Sequence, residues 1–526
     1  MKSLLSALVA TVLLTACGSG GTGTTTTTTS NAGNNPPPPA NCTEQQGNGS
    51  LKILGSITYE RINPLHNDSS TTLDSNNITI ESAKDILVAA LDSAGNILAS
   101  GCTNTNGDYT LEGIPTSTSL KIRAYAKMKN SIWDVKVVDN TNSDVLYAIE
   151  GNLHDSGTSN SSRDLKASYS NDTAAPFAIL DSVHQAMDKI RITDSNVIFP
   201  VLKLNWSINN KSTLDFQPTI GHIPTTFYGD NNIYVLGDKA TDTDEFDNHI
   251  IIHEWGHYFE DVFSRSDSIG YSHGPGQKLD IRVAFGEGFG NAFSAIATDD
   301  PIYYDTFKNG TQGNNMNIES GTQNTPGYYS EASIQRILYD FYDNHNDGAD
   351  NLSMGFKPLY NTLIGSEKTT PAFTSIFTFI TALKNENSAE SAKIDAITSA
   401  ENISDISDIY GTSNDVTLYQ TLLIGSSINI STNTNNGAPN KLNNHRYIRF
   451  TVNSAKSYRI RVDTTSSNSP DPDFALYTTS PFNKLSQGLN TGTSEIKDIY
   501  LKTGDYLIDI YDANFLSSAN FTVMIN

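Results

Sequence analysis

Cysteine is scarce in this chain, with only Cys17, Cys42 and Cys102 among 526 residues. So few thiols exclude a disulfide-dense scaffold and a zinc site built from several cysteines. Basic residues are also few, since 34 Lys and Arg face 57 Asp and Glu and the net charge is −23. A chain this acidic is repelled by a phosphate backbone, so we expect no nucleic acid among its partners.

Long apolar runs are absent as well, because no stretch reaches the ~20 residues of a membrane-spanning helix. The short run Leu4–Leu14 follows Lys2 and fits the apolar core of a secretory signal peptide. Its end, Leu14-Thr15-Ala16-Cys17, resembles a bacterial lipobox, which implies cleavage before Cys17 and lipidation of its thiol. An ordinary signal peptide with a chance cysteine is the alternative. The resemblance implies a lipid-anchored protein on the bacterial outer membrane or cell surface, or facing the periplasm.

Residues 18–50 form a low-complexity tether of Thr, Asn and Pro, which follows the signal peptide of residues 1–17. Such a composition cannot bury a core, and we expect an extended spacer. Cys42, near the end of the tether, and Cys102 remain as a pair. In an oxidising compartment that pair predicts a disulfide, with two free thiols as the alternative.

Three folded regions follow the tether. Residues 51–173 alternate short β-rich runs with turn signals, and the pattern of 85–115 resembles the small β-sandwich found beside carboxypeptidases. Residues 174–414 change to a helical spacing, as in Pro176–Met187. Alternating strands return in 415–526, which resembles the bacterial pre-peptidase C-terminal domain, a small β-sandwich attached to many secreted peptidases.

The stretch HEWGHYFE, residues 253–260, lies in an amphipathic segment, 244–263, that we predict to be a helix. On a helix His253 and His257 share one face, so their imidazoles can bind one metal ion. Glu254 lies about a third of a turn away and can reach a water held by that metal. His249 would lie about 12 Å from His257 along the axis, and we interpret it as a packed or supporting residue.

A catalytic zinc ion takes three protein ligands, and the third should come from another element. The predicted helix 282–297 offers one carboxylate, Glu287, among three glycines. Asn291 shares the face of Glu287 and could hydrogen-bond a ligand histidine. His273, in the loop before this helix, is the alternative third ligand. We favour Glu287 because two histidines and one glutamate form an established catalytic zinc set.

The motif His253-Glu254-xx-His257, followed by Glu287 in a second helix, resembles the gluzincin metallopeptidases of the thermolysin-like clan. The stretch GEGFGNAFS, residues 286–294, resembles a group of bacterial HExxH lipoproteins more closely. The resemblance covers about residues 174–410 and implies a mainly α-helical, zincin-like α+β catalytic domain, one Zn²⁺ ion and a protein or peptide substrate. The chain departs from thermolysin-type enzymes at Asn291, where they have an aspartate.

Two further stretches are candidates for contacts with substrate. In this clan an edge strand before the motif helix pairs with the extended substrate. Tyr329 and Arg336 are candidates for stabilising an oxyanion, against plain structural roles. The strand candidates, with an ordinary core strand as the alternative, are Ile233, Tyr234, Val235 and Leu236.

The acidic loop Asp343–Asp350 has the Asp-rich start and the glycine of a calcium loop. Position 12 of that frame is Met354, so the bidentate glutamate of an EF-hand is missing. Ca²⁺ is therefore a second cofactor expectation, and an acidic loop that ends a helix is the preferred interpretation.

These observations predict a multidomain protein with an N-terminal β-sandwich, a mainly α-helical zincin-like catalytic domain and a C-terminal β-sandwich. The function they favour is a lipid-anchored, extracytoplasmic zinc metallopeptidase, in which Glu254 activates the zinc-bound water. The alternative is a non-enzymatic surface lipoprotein, an adhesin or docking protein, with a structural or vestigial zinc site. Substrate preference and oligomeric state do not follow from the sequence.

Overall fold

The computed structural model describes residues 38–42, 45–67, 70–274, 276–320, 325–345, 350–414, 418–433, 438–516 and 518–526. The signal peptide, the lipidation candidate Cys17 and most of the tether lie outside these ranges. Within them no helix is both long and apolar enough to span a membrane. The described residues form two compact units, 38–258 with Ala297–Asn317, and Phe259–Ile296 with Ile318–Asn526. These units divide the chain differently from the predicted borders at residues 173 and 414.

The first unit is rich in β-strands, and the helix α2 begins in it. Its elements are β1 (Leu51–His66), β2 (Thr71–Ser82), β3 (Ile86–Asp92), β4 (Ile97–Cys102), β5 (Asp108–Ile114), β6 (Ser119–Lys129), β7 (Asp134–Asp139), β8 (Val145–Leu146), β9 (Ala148–Glu150), β10 (His154–Asp155), β11 (Ser161–Ser162), β12 (Leu165–Ala167), α1 (Ala175–Thr193), β13 (Leu202–Trp206), β14 (Lys211–Ser212), β15 (His222–Ile223), β16 (Phe227–Gly229), β17 (Asn232–Val235), β18 (Gly237–Asp238), β19 (Asp242–Thr243), α2 (Asn248–Val262), β20 (Ile302–Phe307) and β21 (Gln312–Asn317).

The largest sheet of this unit has ten strands, in the order β16-β17-β13-β7-β6-β3-β4, with β8, β9 and β10 paired beside β6 and β7. A five-stranded sheet contains β1, β2, β5, β11 and β12, and β18 to β21 form a four-stranded sheet. The ten-stranded sheet joins strands from both sides of residue 173, because β13 pairs with β7 in parallel. The β-structure predicted for residues 51–173 therefore continues into the region predicted to be catalytic.

The prediction of a mainly α-helical region at 174–414 is not confirmed. Helices α1 to α7 occur there, but so do strands β13 to β21. Each of these strands is only two to six residues long, too short for a two-residue period to stand out in the sequence. These segments are strands because they pair with strands far away in the sequence, as β13 does with β7. Their local sequence pattern does not indicate this.

Helix α1 packs on β6 and β7. It runs beyond the predicted 176–187 to Thr193, because Ile190 keeps its apolar face buried. Cys42 and Cys102 form a disulfide with their Cα atoms 5.2 Å apart. The two cysteines pack against the buried Leu87, Ala89 and Tyr125 of the sheet.

The second unit combines helices with a C-terminal β-sandwich, as predicted for that end of the chain. One sheet has the order β22-β24-β29-β26-β27 and the other β23-β30-β25-β28. Apolar side chains of both sheets form one buried cluster. The elements are α3 (Ile281–Thr298), α4 (Glu331–Tyr342), α5 (Phe356–Thr362), α6 (Ile376–Glu386), α7 (Ser391–Ala400), β22 (Tyr419–Thr421), β23 (Ser427–Thr432), β24 (His445–Val452), β25 (Lys456–Thr464), β26 (Pro472–Thr479), β27 (Phe482–Gly488), β28 (Ser494–Leu501), β29 (Gly504–Asp512) and β30 (Ala519–Ile525).

A buried arginine ties the first turn of α3 to this sandwich. The guanidinium of Arg282 donates to Asp280 at 2.8 Å and to Asp509 of β29 at 2.9 Å. The central guanidinium carbon, Cζ of Arg282, lies 4.6 Å from the ring centre of Phe373. Burial opposes ionisation of Asp280, but Arg282 outweighs it and lowers the pKa of that carboxyl to about 2. Removing one member of such a buried network leaves a charge without compensation.

Asp509→Asn should therefore lower the free energy of unfolding by about 3 kcal/mol, because a buried guanidinium loses a charged partner. The matched control is Asp498→Asn, whose pair with Arg459 is exposed, at 58% for the arginine and 60% for the aspartate. That variant should unfold like the wild type. Denaturant and thermal unfolding of both variants measure the difference. An Asp509→Asn protein as stable as the control would contradict the role given to Arg282.

Candidate metal centre

Helix α2 carries the HEWGH segment and begins at Asn248, later than the predicted residue 244. Asp247, the residue just before the helix, is held by hydrogen bonds to a strand. The carboxylate of Asp247 accepts the backbone N–H of Thr306 at 2.6 Å and the hydroxyl of Thr306 at 2.9 Å. These bonds to β20 fix the chain where it enters the helix.

Aromatic packing brings α2 and α3 together. The ring of Phe259, near the end of α2, lies 5.9 Å from that of Phe289 and 6.2 Å from that of Phe293. All three side chains are buried. The predicted second helix, 282–297, is observed as α3 with one more residue at each end.

His253 and His257 face each other on one side of α2, with their Nε2 atoms 3.0 Å apart. One ligand atom from each of His253, His257 and Glu287 lies within 4.8 Å of the others. His253 and Glu287 are buried, whereas His257 is half-buried. The three residues predicted to bind zinc therefore converge, and the group remains accessible to solvent at His257.

These residues fit Zn²⁺. Two imidazoles and one carboxylate form the protein donor set of a catalytic zinc ion, which leaves one position open. Two nitrogens bound to one tetrahedral zinc ion are roughly 3.3 Å apart, close to the 3.0 Å between the Nε2 atoms. His253 and His257 would supply the nitrogens and Glu287 the oxygen.

Glu254 accepts a hydrogen bond from a backbone group that sequence reasoning missed. Its Oε2 accepts the N–H of Tyr228, in β16, at 2.7 Å. The ring of Tyr228 lies 6.1 Å from that of Tyr258, one turn along α2. A main-chain donor leaves no residue-type signal, since any residue but proline supplies it.

Glu287 lies where α3 approaches α4 closely. A Cβ atom at Gly288 would lie 2.6 Å from the Cβ of Ile334 and 2.9 Å from the carbonyl oxygen of Glu331. Glycine permits this approach, which explains one member of the glycine cluster around Glu287.

His273, the alternative third ligand, contacts carboxylates instead. Its Nε2 is 3.3 Å from an Oε of Glu287 and 3.3 Å from an Oε of Glu331. Burial alone would lower the pKa of His273, but Glu287 and Glu331 outweigh it and raise the pKa to about 9. In the described chain the converging group contains Glu287 and not His273.

Three other candidates have partners elsewhere. The amide of Asn291 donates to Gln335 of α4 at 2.8 Å. Arg336 forms an ion pair with the buried Glu401. The hydroxyl of Tyr329 donates to the carbonyl oxygen of Pro326 at 3.3 Å. These contacts do not link the side chains to the histidine pair, so the histidine contact of Asn291 and the oxyanion roles of Tyr329 and Arg336 stay predictions.

The prediction that Ile233, Tyr234, Val235 and Leu236 form an edge strand is wrong. β17 lies inside the sheet, because it pairs in parallel with β13 and in antiparallel with β16. Ile233, Val235 and Leu236 are buried, and the ring of Tyr234 stacks on Phe227 at 5.0 Å. The edge strand at this end of the ten-stranded sheet is β16. It has only three residues, too few for an alternating pattern to be recognised in the sequence.

His249 is a packed residue, as interpreted. Its Nε2 lies 3.0 Å from the carbonyl oxygen of Asp300, and its ring is 5.4 Å from that of Tyr304. The calcium expectation at Asp343–Asp350 falls partly outside the described residues, which omit 346–349.

A known domain family covers this part of the chain. The Mycolysin C-terminal domain matches residues 203–398, a span that includes both histidines, Glu254 and Glu287. That domain occurs in zinc metallopeptidases, so the match associates the chain with peptidases. The C-terminal region 415–526 lies outside the match. No curated protein matches the chain.

Several solved structures match short parts of the chain. The pre-peptidase C-terminal domain of a Bacillus anthracis collagenase is 16% identical over 20% of this chain and 94% of its own, with a TM-score of 0.18. The periplasmic g-type lysozyme inhibitor of Aeromonas hydrophila is 12% identical over 20% of this chain and 97% of its own, with a TM-score of 0.15. At such TM-scores neither structure identifies the fold of this chain.

The zinc content of two variants shows whether Glu287 or His273 is the third ligand. Glu287→Ala should weaken zinc binding at least about hundredfold, because it removes one of three ligands. His273→Ala should weaken it less than Glu287→Ala does, by about tenfold, because it alters only a neighbour of a ligand. Zinc retained against a competing chelator measures both. Loss of zinc in His273→Ala with retention in Glu287→Ala would reverse the assignment.

Proposed function

We propose that this chain is a zinc-dependent metallopeptidase that hydrolyses peptide bonds. The observation that carries the proposal is the convergence of His253, His257 and Glu287, with Glu254 beside them on the same helix. The match to a domain of zinc metallopeptidases over the same residues supports it.

His253, His257 and Glu287 would hold the metal. Bound zinc supplies a Lewis acid that polarises a peptide carbonyl and acidifies water. The half-buried position of His257 leaves an approach for a substrate carbonyl, while His253 and Glu287 are shielded from solvent.

Glu254 is the general base in this proposal. Its carboxylate accepts a proton from the attacking water and donates it to the leaving amine. The Tyr228 N–H donates to one oxygen of the carboxylate at 2.7 Å and so orients the group. Because the donor is backbone on a paired strand, its direction does not depend on a side-chain rotamer.

Further parts of the proposal concern the setting of the enzyme. We keep the lipid anchor at Cys17, the outer-membrane or cell-surface location and the protein or peptide substrate as predictions. The C-terminal sandwich suits the accessory role of a pre-peptidase C-terminal domain.

A non-enzymatic surface lipoprotein is the competing function. A structural zinc site closes its fourth position with a further Cys or His and has no use for a glutamate beside it. In the described chain the converging group contains two histidines and one carboxylate. The hydrogen bond from Tyr228 to Glu254 favours catalysis, because a purely structural site needs no oriented base.

Glu254→Gln tests the mechanism directly. The variant should fold and bind zinc like the wild type, yet lose at least about 10²–10⁴-fold in peptide hydrolysis, the usual loss when general acid–base catalysis is removed. Asp261→Asn, an exposed carboxylate on the same helix, is the matched control and should keep full activity. His253→Ala should lose both zinc and activity, because a ligand is gone.

The assay measures metal content and the digestion of an unbiased peptide library side by side. Wild-type hydrolysis by a zinc-loaded Glu254→Gln protein would contradict the mechanism. A zinc-loaded wild type that cuts nothing in the library would favour the surface-binding alternative.

A further inference from the structure

A second group of side chains, all of them aspartates, lies in the four-stranded sheet β18–β21 and in the turn that leads to α2. One ligand atom from each of Asp242, Asp244 and Asp305 lies within 4.8 Å of the others. β19 and β20 are neighbours in this sheet, with Asp242 opposite Phe307. Strand pairing therefore joins residues that are far apart in the sequence.

Acidic clusters are common on protein surfaces, but this one contains buried oxygens without partners. Asp244 is only 3% exposed. Its Oδ1 has no hydrogen-bond partner, while its other oxygen accepts the hydroxyl of Thr226. An oxygen of Asp242 is likewise buried and without a partner. Leaving a buried carboxylate oxygen unpaired is costly, unless a cation binds there.

Charge compensation from the protein is missing as well. Within the described residues no lysine or arginine pairs with Asp242, Asp244 or Asp305. Burial and the neighbouring Asp305 raise the pKa of Asp242 to about 8. Burial, and then Asp242 and Asp305, also raise the pKa of Asp244. The cluster must hold protons or a cation at neutral pH.

We propose that Asp242, Asp244 and Asp305 bind a calcium ion. All the donors are carboxylate oxygens, the ligands of a hard divalent cation, whereas zinc prefers nitrogen and sulfur. Calcium accepts irregular oxygen shells that are completed by water, which suits Asp242 and Asp305, because both are only half-buried. Its residues are not those of the acidic loop at 343–350.

The ion would stabilise the segment that leads into the motif helix. Asp247, three residues after Asp244, holds β20 through Thr306 immediately before α2 begins. On β20, the ring of Tyr303 lies 6.2 Å from that of His253. Calcium would therefore link β19, β20 and the start of α2, and this role does not depend on peptidase activity.

Calcium titration of the zinc-loaded full chain, by calorimetry and thermal unfolding, tests the site. We expect one bound Ca²⁺ per chain and a melting temperature raised by about 5 °C at saturation. Asp305→Asn should weaken Ca²⁺ binding at least about tenfold. The same variant should melt higher than the wild type without calcium, because one repelling charge is gone. A purely structural role for Asp305 predicts the opposite sign.

Asp343→Asn is the matched control, because it neutralises an aspartate of the other acidic loop and should bind Ca²⁺ like the wild type. The proposal is overturned if ~10 mM Ca²⁺ produces neither heat nor a melting shift. It is also overturned if Asp305→Asn binds like the wild type, or if Asp343→Asn alone loses the ion. If the Asp305→Asn protein does not fold, Asp242→Asn serves as the test variant instead. The proposal is then overturned if Asp242→Asn binds Ca²⁺ like the wild type.

Discussion

The position of α3 is the constraint on which the proposed centre depends. A helix can bring two histidines onto one face by itself, but a third ligand must be held from outside. Three contacts hold α3: the Arg282 network at its first turn, the close approach to α4 at Gly288, and the stacking of Phe289 and Phe293 on Phe259. Glu287 lies between these anchors. The C-terminal sandwich is thus more than an appended module, because Asp509 of β29 holds, through Arg282, the helix that carries the proposed ligand Glu287.

Buried carboxyl groups in this acidic chain are of two kinds, those with a basic partner and those without one. Arg282 compensates Asp280, whereas His445 and then Arg282 compensate Asp509, so the pKa values of both carboxyls are lowered despite their burial. Asp242 and Asp244 have no such partner, and their pKa values are raised. The first arrangement stabilises the fold without any ion. The second requires protons or a bound cation, which is why the two clusters have different consequences although their composition is similar.

Sequence patterns reveal the helices of the centre better than its strands. The four-residue spacing of His253 and His257 and the apolar face of α3 are local, so they are visible without a structure. β16 and β19 contain only three and two residues, and pairing with distant strands is what defines them. The Tyr228 N–H has no residue signature, and Asp305 is remote from Asp242 in the chain. Asp247, just before α2, accepts a hydrogen bond from the distant Thr306, a contact that no local pattern indicates.

X-ray absorption spectroscopy at the zinc edge, on the purified zinc-loaded chain, tests the central claim most directly. The account predicts two imidazole nitrogens at about 2.0–2.1 Å and a carboxylate oxygen at about 2.0–2.2 Å, with a further light atom from solvent. The Glu287→Ala protein should lose the carboxylate contribution. A shell of three or more imidazoles, or a spectrum that Glu287→Ala leaves unchanged, would contradict a centre made by His253, His257 and Glu287.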